Sequence, residues 1–187
     1  MTGIIVLAAG GSERFGSPKQ LAEFRGKPLL RHAAETAVGA ELGPVNIVLG
    51  AAEEACRQVL EGMKVQIVHN PDWREGMAGS ISAGMRPWAG KPLDGVIIVL
   101  ADQPGVTAGH LRALEAASAS KAIVASRYHS QLGVPAWFSP DKFGDLTRLE
   151  GGKGAKGLMT REPDMGWIEI PAAAFDIDTP ADLSGFS

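Results

Sequence analysis

This sequence predicts an α/β fold: a mostly parallel sheet with helices on both faces, three layers in all. Three observations lead there. Apolar, β-branched segments alternate with segments of helical spacing through about the first 125 residues, the pattern that crossover connections produce. Several strand segments are continuously apolar, as strands buried on both faces are. The two segments with the strongest chemical signal, "LAAGGSERFGSPK" and "LADQPG", fall at predicted strand carboxyl ends, where such sheets bind ligands.

The elements follow in order. "GIIVLAA" ends in glycine and reads as the first buried strand. "PLLRHAAETAVGA" has apolar residues at helical spacing, with Pro28 near its start. "PVNIVLG" is a second strand, "AAEEACRQVLEG" a second helix and "KVQIVHN" a third strand. "GMAGSISAGMRPW" is a helix entered through glycine. "DGVIIVLAD" is the strongest strand in the chain, and "TAGHLRALEAAS" a helix after it with Thr107 as N-cap. "KAIVAS" is another strand. Beyond Ser126 the rhythm breaks, and "LGVPAWFS", "PDKFGDLTRLEGGKGAKGLMTREP" and "GWIEIPAAAFDIDTPADL" read as a cap on the same sheet. One domain over residues 1–187 is expected, a length sufficient to close a core.

Composition narrows the function classes. Hydrophobic residues make up 45% and charged residues 21%, an ordinary globular balance. A net charge of −3 supplies no electrostatic footprint for nucleic acid, so an anionic ligand needs a local site. The single cysteine, Cys56, excludes an internal disulfide and reads as a packing thiol. No apolar run reaches the ~18 residues of a membrane span, and no signal peptide is evident, so a cytoplasmic location without membrane partners is expected. The histidines His32, His69, His110 and His129 lack metal-ligand spacing and read as structural or exposed.

The first loop differs from better-known phosphate loops. Gly11 and Gly16 have the separation of GxxxxGK[ST], but Ser17 and Pro18 follow, and GxGxxG is absent. What remains is a strand, the small residues Ala8, Ala9, Gly10 and Gly11, then Arg14, then Lys19. Small residues let a phosphate or a base edge meet backbone N–H groups. Arginine adds a planar fork and lysine a compact charge. Asp102 ends the most hydrophobic strand, where a carboxylate needs a cation, a donor or water. Its rival reading is turn chemistry in Gln103-Pro104-Gly105. Asp176, Asp178 and Asp182 cluster in "FDIDTPADL", a segment that also reads as an ordinary helix start.

"LAAGGSERFGSPKQL" resembles the signature of nucleotidyltransferases, and in particular that of the molybdenum cofactor cytidylyltransferase family, within the wider group that includes the guanylyltransferase. The resemblance recurs in order through "HNPDWREGMAGSISAGM", "DGVIIVLADQPGVTAGHL", "GVPAWFS", "LEGGKGAKGL" and "DIDTPADL", nearly the whole chain. It implies the three-layer, Rossmann-like nucleotidyltransferase fold, also called the nucleotide-diphospho-sugar transferase fold. It implies that Leu7, Ala8, Ala9 and Gly10 line base and ribose, that Arg14 and Lys19 grip the triphosphate, and that Gly76 and Ser80 contact cytosine. It implies Mg²⁺ on Asp102 and Asp178, with Asp176 in reserve, since alternation would turn Asp176 and Asp178 to one side. Mg²⁺ commonly takes one or two carboxylates plus substrate phosphates.

"LEGGKGAKGLM" departs from the family, which commonly has an acidic residue and an arginine where this chain has Gly152 and Lys156. That leaves the acceptor open. Lys153 and Lys156 either meet acceptor phosphate or form a solvated lysine loop. The implied reaction is transfer of CMP from CTP to a molybdopterin-type cofactor with release of pyrophosphate, with a recipient molybdoenzyme as a transient partner. Rival readings keep the fold with GTP or a sugar phosphate, or make the protein a non-catalytic cofactor carrier, or place a nicotinamide- or flavin-dependent oxidoreductase on the same sheet.

Overall fold

A computed structural model describes residues 1–152 and 154–184. Nine strands and seven α-helices occur among these residues, together with short 3₁₀ turns. The first strand, β1 (Thr2–Ala8), is buried along its whole length. Its alternation feeds both sides of the sheet. Ile4, Val6 and Ala8 enter one core, while Ile5, Leu7 and Ala9 enter the other. Each large aliphatic side chain withdrawn from water this way contributes about 1.5–3 kcal/mol.

A small hairpin of β2 (Glu23–Phe24) and β3 (Lys27–Pro28) precedes α1 (Leu29–Gly39), and Pro28 sits at the helix N-cap. Then come β4 (Val45–Leu49), α2 (Glu53–Val59), β5 (Gln66–His69), α3 (Met77–Met85), β6 (Gly95–Leu100) and α4 (Ala108–Ala116). β1 pairs in parallel with both β4 and β6, and β4 with β5. Thr107 caps α4 as expected. Its side chain accepts from the His110 amide while the His110 ring accepts from the Thr107 amide, a capping box with histidine in the usual Glu/Gln place.

The segment after Ser126 is more than a cap. β7 (Ile123–Tyr128) turns through His129 and Ser130 into β8 (Gln131–Phe138), and β8 inserts antiparallel between β6 and β7. The sheet order is β5-β4-β1-β6-β8-β7-β9, with β9 (Gly166–Glu169) parallel to β7 at the edge. The reason is burial. Ala136, Trp137 and Phe138 are all buried, which a surface cap would not provide. Helices α1, α2 and α4 cover one face. The other is covered by α3, α5 (Phe143–Thr147) and α6 (Lys156–Arg161). α7 (Pro180–Ser184) follows the tail. Cys56 is buried in the first core, and burial raises its thiol pKa to about 11, the condition of an inert packing residue. No helix of the described residues is long and apolar enough to cross a membrane.

Two close approaches place α3 at the strand ends. Gly84 lies so near the sheet that a Cβ would stand 2.7 Å from Ile5. Buried Asn46 on β4 donates to the Gly84 carbonyl at 2.8 Å. The helix cannot lift away without losing both, and its first turn, Gly76 to Ser80, stays beside the end of β1.

Candidate functional site

A cavity of about 610 Å³ opens at the carboxyl ends of β1 and β6. Its walls include Leu7, Ala8, Ala9, Gly10, Lys19, Gly76, Ser80 and Asp102, all singled out in the sequence, together with Gly11, Glu13, Gln20, Trp73, Arg74, Met77 and Gly152. Residues from five separate stretches of chain therefore meet in one place.

The strand-end loop is built by its neighbours. Gly10 opens to space, where a Cβ would meet nothing within 4 Å. Gly11 has a different reason to be glycine: a Cβ there would stand 2.7 Å from the Trp73 ring. Gly50, after β4, is closed by Trp73 Cβ at 2.6 Å and by the Ala9 carbonyl oxygen at 2.7 Å. Trp73 is thus wedged between two backbone segments, and Arg74 lies over its indole face with the guanidinium carbon 4.3 Å from the ring centroid. On α3, Ser80 Oγ accepts from buried Asn70 Nδ2 at 3.0 Å, which leaves the hydroxyl proton to donate into the cavity.

Charge concentrates on one edge of the cavity. Lys19 Nζ lies 2.6 Å from Asp102 Oδ2 and 3.0 Å from Asp178 Oδ1, so one ammonium joins residues from opposite ends of the chain. Burial is the largest influence on Lys19 and acts to lower its pKa, but the Asp102 and Asp178 carboxylates together outweigh it and hold the ammonium above the usual lysine value. Arg14 is 74% exposed and pairs with Asp178 Oδ2 at 2.9 Å, outside the cavity wall. The tail reaches the site through its backbone. The Ile177 amide donates to the Asp102 carbonyl at 2.9 Å, and the Ile177 side chain is buried against Phe24 and Leu29.

That pin presents the neighbouring aspartates differently. Asp178 shares Lys19 with Asp102. Asp176 is more open to solvent, yet partial desolvation first, then the Asp102 and Asp178 charges, raise its carboxyl above the usual range. Asp182 closes the turn before α7, accepting from the Asp178 and Thr179 amides and the Thr179 hydroxyl, which hold its carboxyl below the usual range.

The carboxylate pair suits a divalent ion. Asp102 Oδ1 is buried without a hydrogen-bond partner among the described residues, so one oxygen of that carboxylate remains after Lys19 is served. Hard oxygen donors are what Mg²⁺ and Mn²⁺ take. No group of three His, Cys, Asp or Glu side chains placed for a metal occurs among the described residues, so the fit is that of an ion completed by phosphate oxygens.

Of the lysines expected near an acceptor, Lys156 opens α6 as an exposed residue away from the cavity walls, and Lys153 lies outside the described residues. In the sequence Trp73 reads only as part of a non-repetitive loop with Asn70 and Pro71, and nothing singles out Gln20 or Arg74, whose residue types and spacing carry no signal of a contact to this loop.

Residues 4–165 match the MobA-like NTP transferase domain. The chain belongs to this family. Proteins similar to it include the purine catabolism protein PucB of Bacillus subtilis, 28% identical over 94% of this chain and 91% of that protein. The nicotine blue oxidoreductase of Paenarthrobacter nicotinovorans is 38% identical over 57% of this chain, and the match spans about half of that relative's length. Among solved structures, Rv0371c of Mycobacterium tuberculosis H37Rv superposes with a TM-score of 0.84 at 30% identity, covering 99% of this chain and 96% of the other. A structure of Rv0371c in complex with manganese superposes with a TM-score of 0.79 at 28% identity over 98% of this chain and 96% of the other. The seven-stranded, mostly parallel sheet and the structural neighbours show the nucleotide-diphospho-sugar transferase fold.

Proposed function

We propose that this MobA-like NTP transferase moves CMP from CTP to a molybdopterin-type cofactor and releases pyrophosphate. The observation behind this reading is the convergence, at one cavity, of a glycine loop, a lysine and a strand-end aspartate, with a second aspartate joined through the lysine. In this reading the backbone of Leu7 to Gly10 receives base and ribose, and Gly76 and the Ser80 hydroxyl meet the cytosine edge. Lys19, with Arg14 at the rim, holds the phosphates that leave.

A terminal phosphate oxygen of the acceptor attacks the α-phosphorus. The new P–O bond forms as the bond from the α-phosphorus to the β-bridging oxygen breaks, and pyrophosphate carries away the electron pair. A phosphate monoester is already anionic, so no strong general base is needed and alignment with charge neutralisation does the work. A divalent ion held by Asp102 and Asp178, Mg²⁺ in this reading, would supply positive charge to the α-phosphate. The manganese complex of Rv0371c supports a divalent metal in this family.

Acceptor and base rest on the ordered motif resemblance, and the protein named an oxidoreductase supports a second reading, in which the same cavity holds a nicotinamide or flavin nucleotide. The Lys19–Asp102–Asp178 set favours nucleotidyl transfer, because hydride transfer needs no acidic pair beside the phosphates. Pyrophosphate release with Mg²⁺, the four nucleoside triphosphates and free molybdenum cofactor decides between them. Release with CTP and cofactor is expected. Release with GTP alone would transfer the reading to a guanylyltransferase. Reduction of a dye by NAD(P)H without pyrophosphate would replace it with the second reading.

A further inference from the structure

The strand-end loop is satisfied asymmetrically. Four successive carbonyls are engaged by the protein: Leu7 by the Ala101 amide at 3.1 Å, Ala9 by the Ala51 amide at 3.0 Å, and Ala8 and Gly10 by the two hydrogens of Gln20 Nε2 at 2.9 and 2.7 Å. The Ser12 carbonyl accepts from the Phe15 and Gly16 amides. The amides of Gly10, Gly11 and Ser12 meet no protein acceptor among the described residues. The loop therefore keeps the oxygens of Leu7 to Gly10 on the protein and the N–H groups of Gly10 to Ser12 in reserve.

We infer that Gln20 is the positioning residue for anion binding at this loop. It holds the Ala8 and Gly10 carbonyls inward so that the amide side receives the nucleotide's phosphates. The inference rests on the reading that this loop binds a nucleoside triphosphate. Gln20 is 4% exposed, so its amide belongs to the interior. Its own carbonyl accepts from Ser12 Oγ at 3.2 Å, and Ser12 Oγ accepts from the Lys19 amide at 3.1 Å. One buried amide thus fixes two loop carbonyls and, through Ser12, the start of the segment bearing Lys19. A carbonyl oxygen rotated into the cavity would repel phosphate and remove an N–H from reach. Among the described residues every other donor to these carbonyls is backbone, so Gln20 is the one side chain there whose replacement frees two of the four.

The test is binding of CTP, GTP and inorganic tripolyphosphate, each with Mg²⁺, by isothermal titration calorimetry to wild type, Gln20→Glu, Gln20→Met and Ser12→Ala, well below each variant's melting temperature. Glutamate and methionine keep the length of the side chain and lose both amide donors. The expected result is binding about ten- to a hundredfold weaker for both Gln20 variants, as befits two buried acceptors deprived of donors. Tripolyphosphate should weaken as well, because the amides of Gly10 to Ser12 serve the phosphates whatever the base. In turnover, KM for the nucleotide should rise by that factor while kcat at saturation stays within a few fold. Ser12→Ala, which removes the support of the Gln20 carbonyl together with the acceptor of the Lys19 amide, should weaken binding about threefold and serves as the deciding variant if the Gln20 replacements do not fold. Folded variants with wild-type affinity would overturn the inference while leaving the nucleotide reading intact. A wild type that binds none of the three probes would overturn the nucleotide reading itself.

Discussion

Two segments of this chain are rich in glycine, Gly10 to Gly16 and the stretch holding Gly151, Gly152, Gly154 and Gly157; each holds a glycine at positive φ, Gly16 at +80° in the first, and they differ in what surrounds them. In the first, Gly10 faces open space at the cavity while Gly11 is confined by Trp73. In the second, Gly151 and Gly154 adopt φ of +81° and +55°, and a Cβ on Gly154 would stand 2.7 Å from Met77 Sδ. The second segment touches the cavity through Gly152, whose Cα would lie 2.9 Å from a Cβ at Gly76. Glycine content alone therefore does not mark a ligand loop. The first segment is distinguished by what surrounds it: a buried glutamine on its carbonyls, a lysine beside two carboxylates, and amides without a protein partner.

The largest effect should come from the charges attached to the first segment. Asp102→Asn keeps the shape of the residue and removes the charge facing Lys19. Pyrophosphate release should fall about 10²–10³-fold, as when a preorganised electrostatic group is deleted. Lys19→Ala should fall as far, with both proteins retaining wild-type circular dichroism. Near-normal release by either would break the assignment of chemistry to this edge of the cavity.

Glycine replacements sharpen the contrast within the first segment. Gly11→Ala forces a methyl into the Trp73 ring, and Gly50→Ala, beyond the segment, forces one onto Trp73 Cβ and the Ala9 carbonyl; each should cost about 1–3 kcal/mol, read by urea denaturation. Gly10→Ala meets nothing and should change stability by less than about 0.5 kcal/mol. Its methyl points into open space beside the loop amides, so nucleotide affinity should still drop. Equal stability for Gly10→Ala and Gly11→Ala would mean that Trp73 does not clamp the loop.

Across the second segment the pair to compare is Gly76→Ala and Gly152→Ala. Gly76 has φ of +113° and the near contact with Gly152, so alanine there should cost about 1–3 kcal/mol and loosen the first turn of α3. A Cβ on Gly152 meets nothing within 4 Å, and its replacement should leave stability within about 0.5 kcal/mol. If the two substitutions prove equally costly, the segment is held by something other than this glycine-to-glycine approach.

The parallel half of the fold was legible because burial on both faces writes continuous apolar runs, as in β1, β4 and β6. β8 was not, since "LGVPAWF" contains a glycine and a proline, and because the turn before it is His129-Ser130. Both residues have positive φ, 45° and 60°, a conformation usually signalled by Asn-Gly. The cavity was legible wherever its lining residues are rare at their position: Lys19 after a glycine loop, Asp102 at the end of an apolar strand. Gln20 and Trp73 act by holding backbone, and nothing in their types or spacing announces which carbonyl or which glycine they hold. Only the folded chain brings Gln20 under Ala8 and Gly10, or Trp73 between Gly11 and Gly50.

The smallest expected effect tests the second segment's own cation. Lys156 is exposed at the first residue of α6 and does not line the cavity. The charge of an exposed lysine is largely screened beyond about 10 Å at 0.1 M salt. Lys156→Ala should therefore leave the nucleotide KM within about twofold and the melting temperature unchanged. The acceptor is where the two segments would part company. If the α6 end faces an incoming phosphate, KM for the acceptor alone should rise, and it should rise more at low ionic strength, because only the long-range part of the interaction is salt-sensitive. An unchanged acceptor KM at both salt concentrations would assign Lys156 to the solvated surface and leave recognition of acceptor phosphate to groups on the Asp102 and Asp178 side of the cavity.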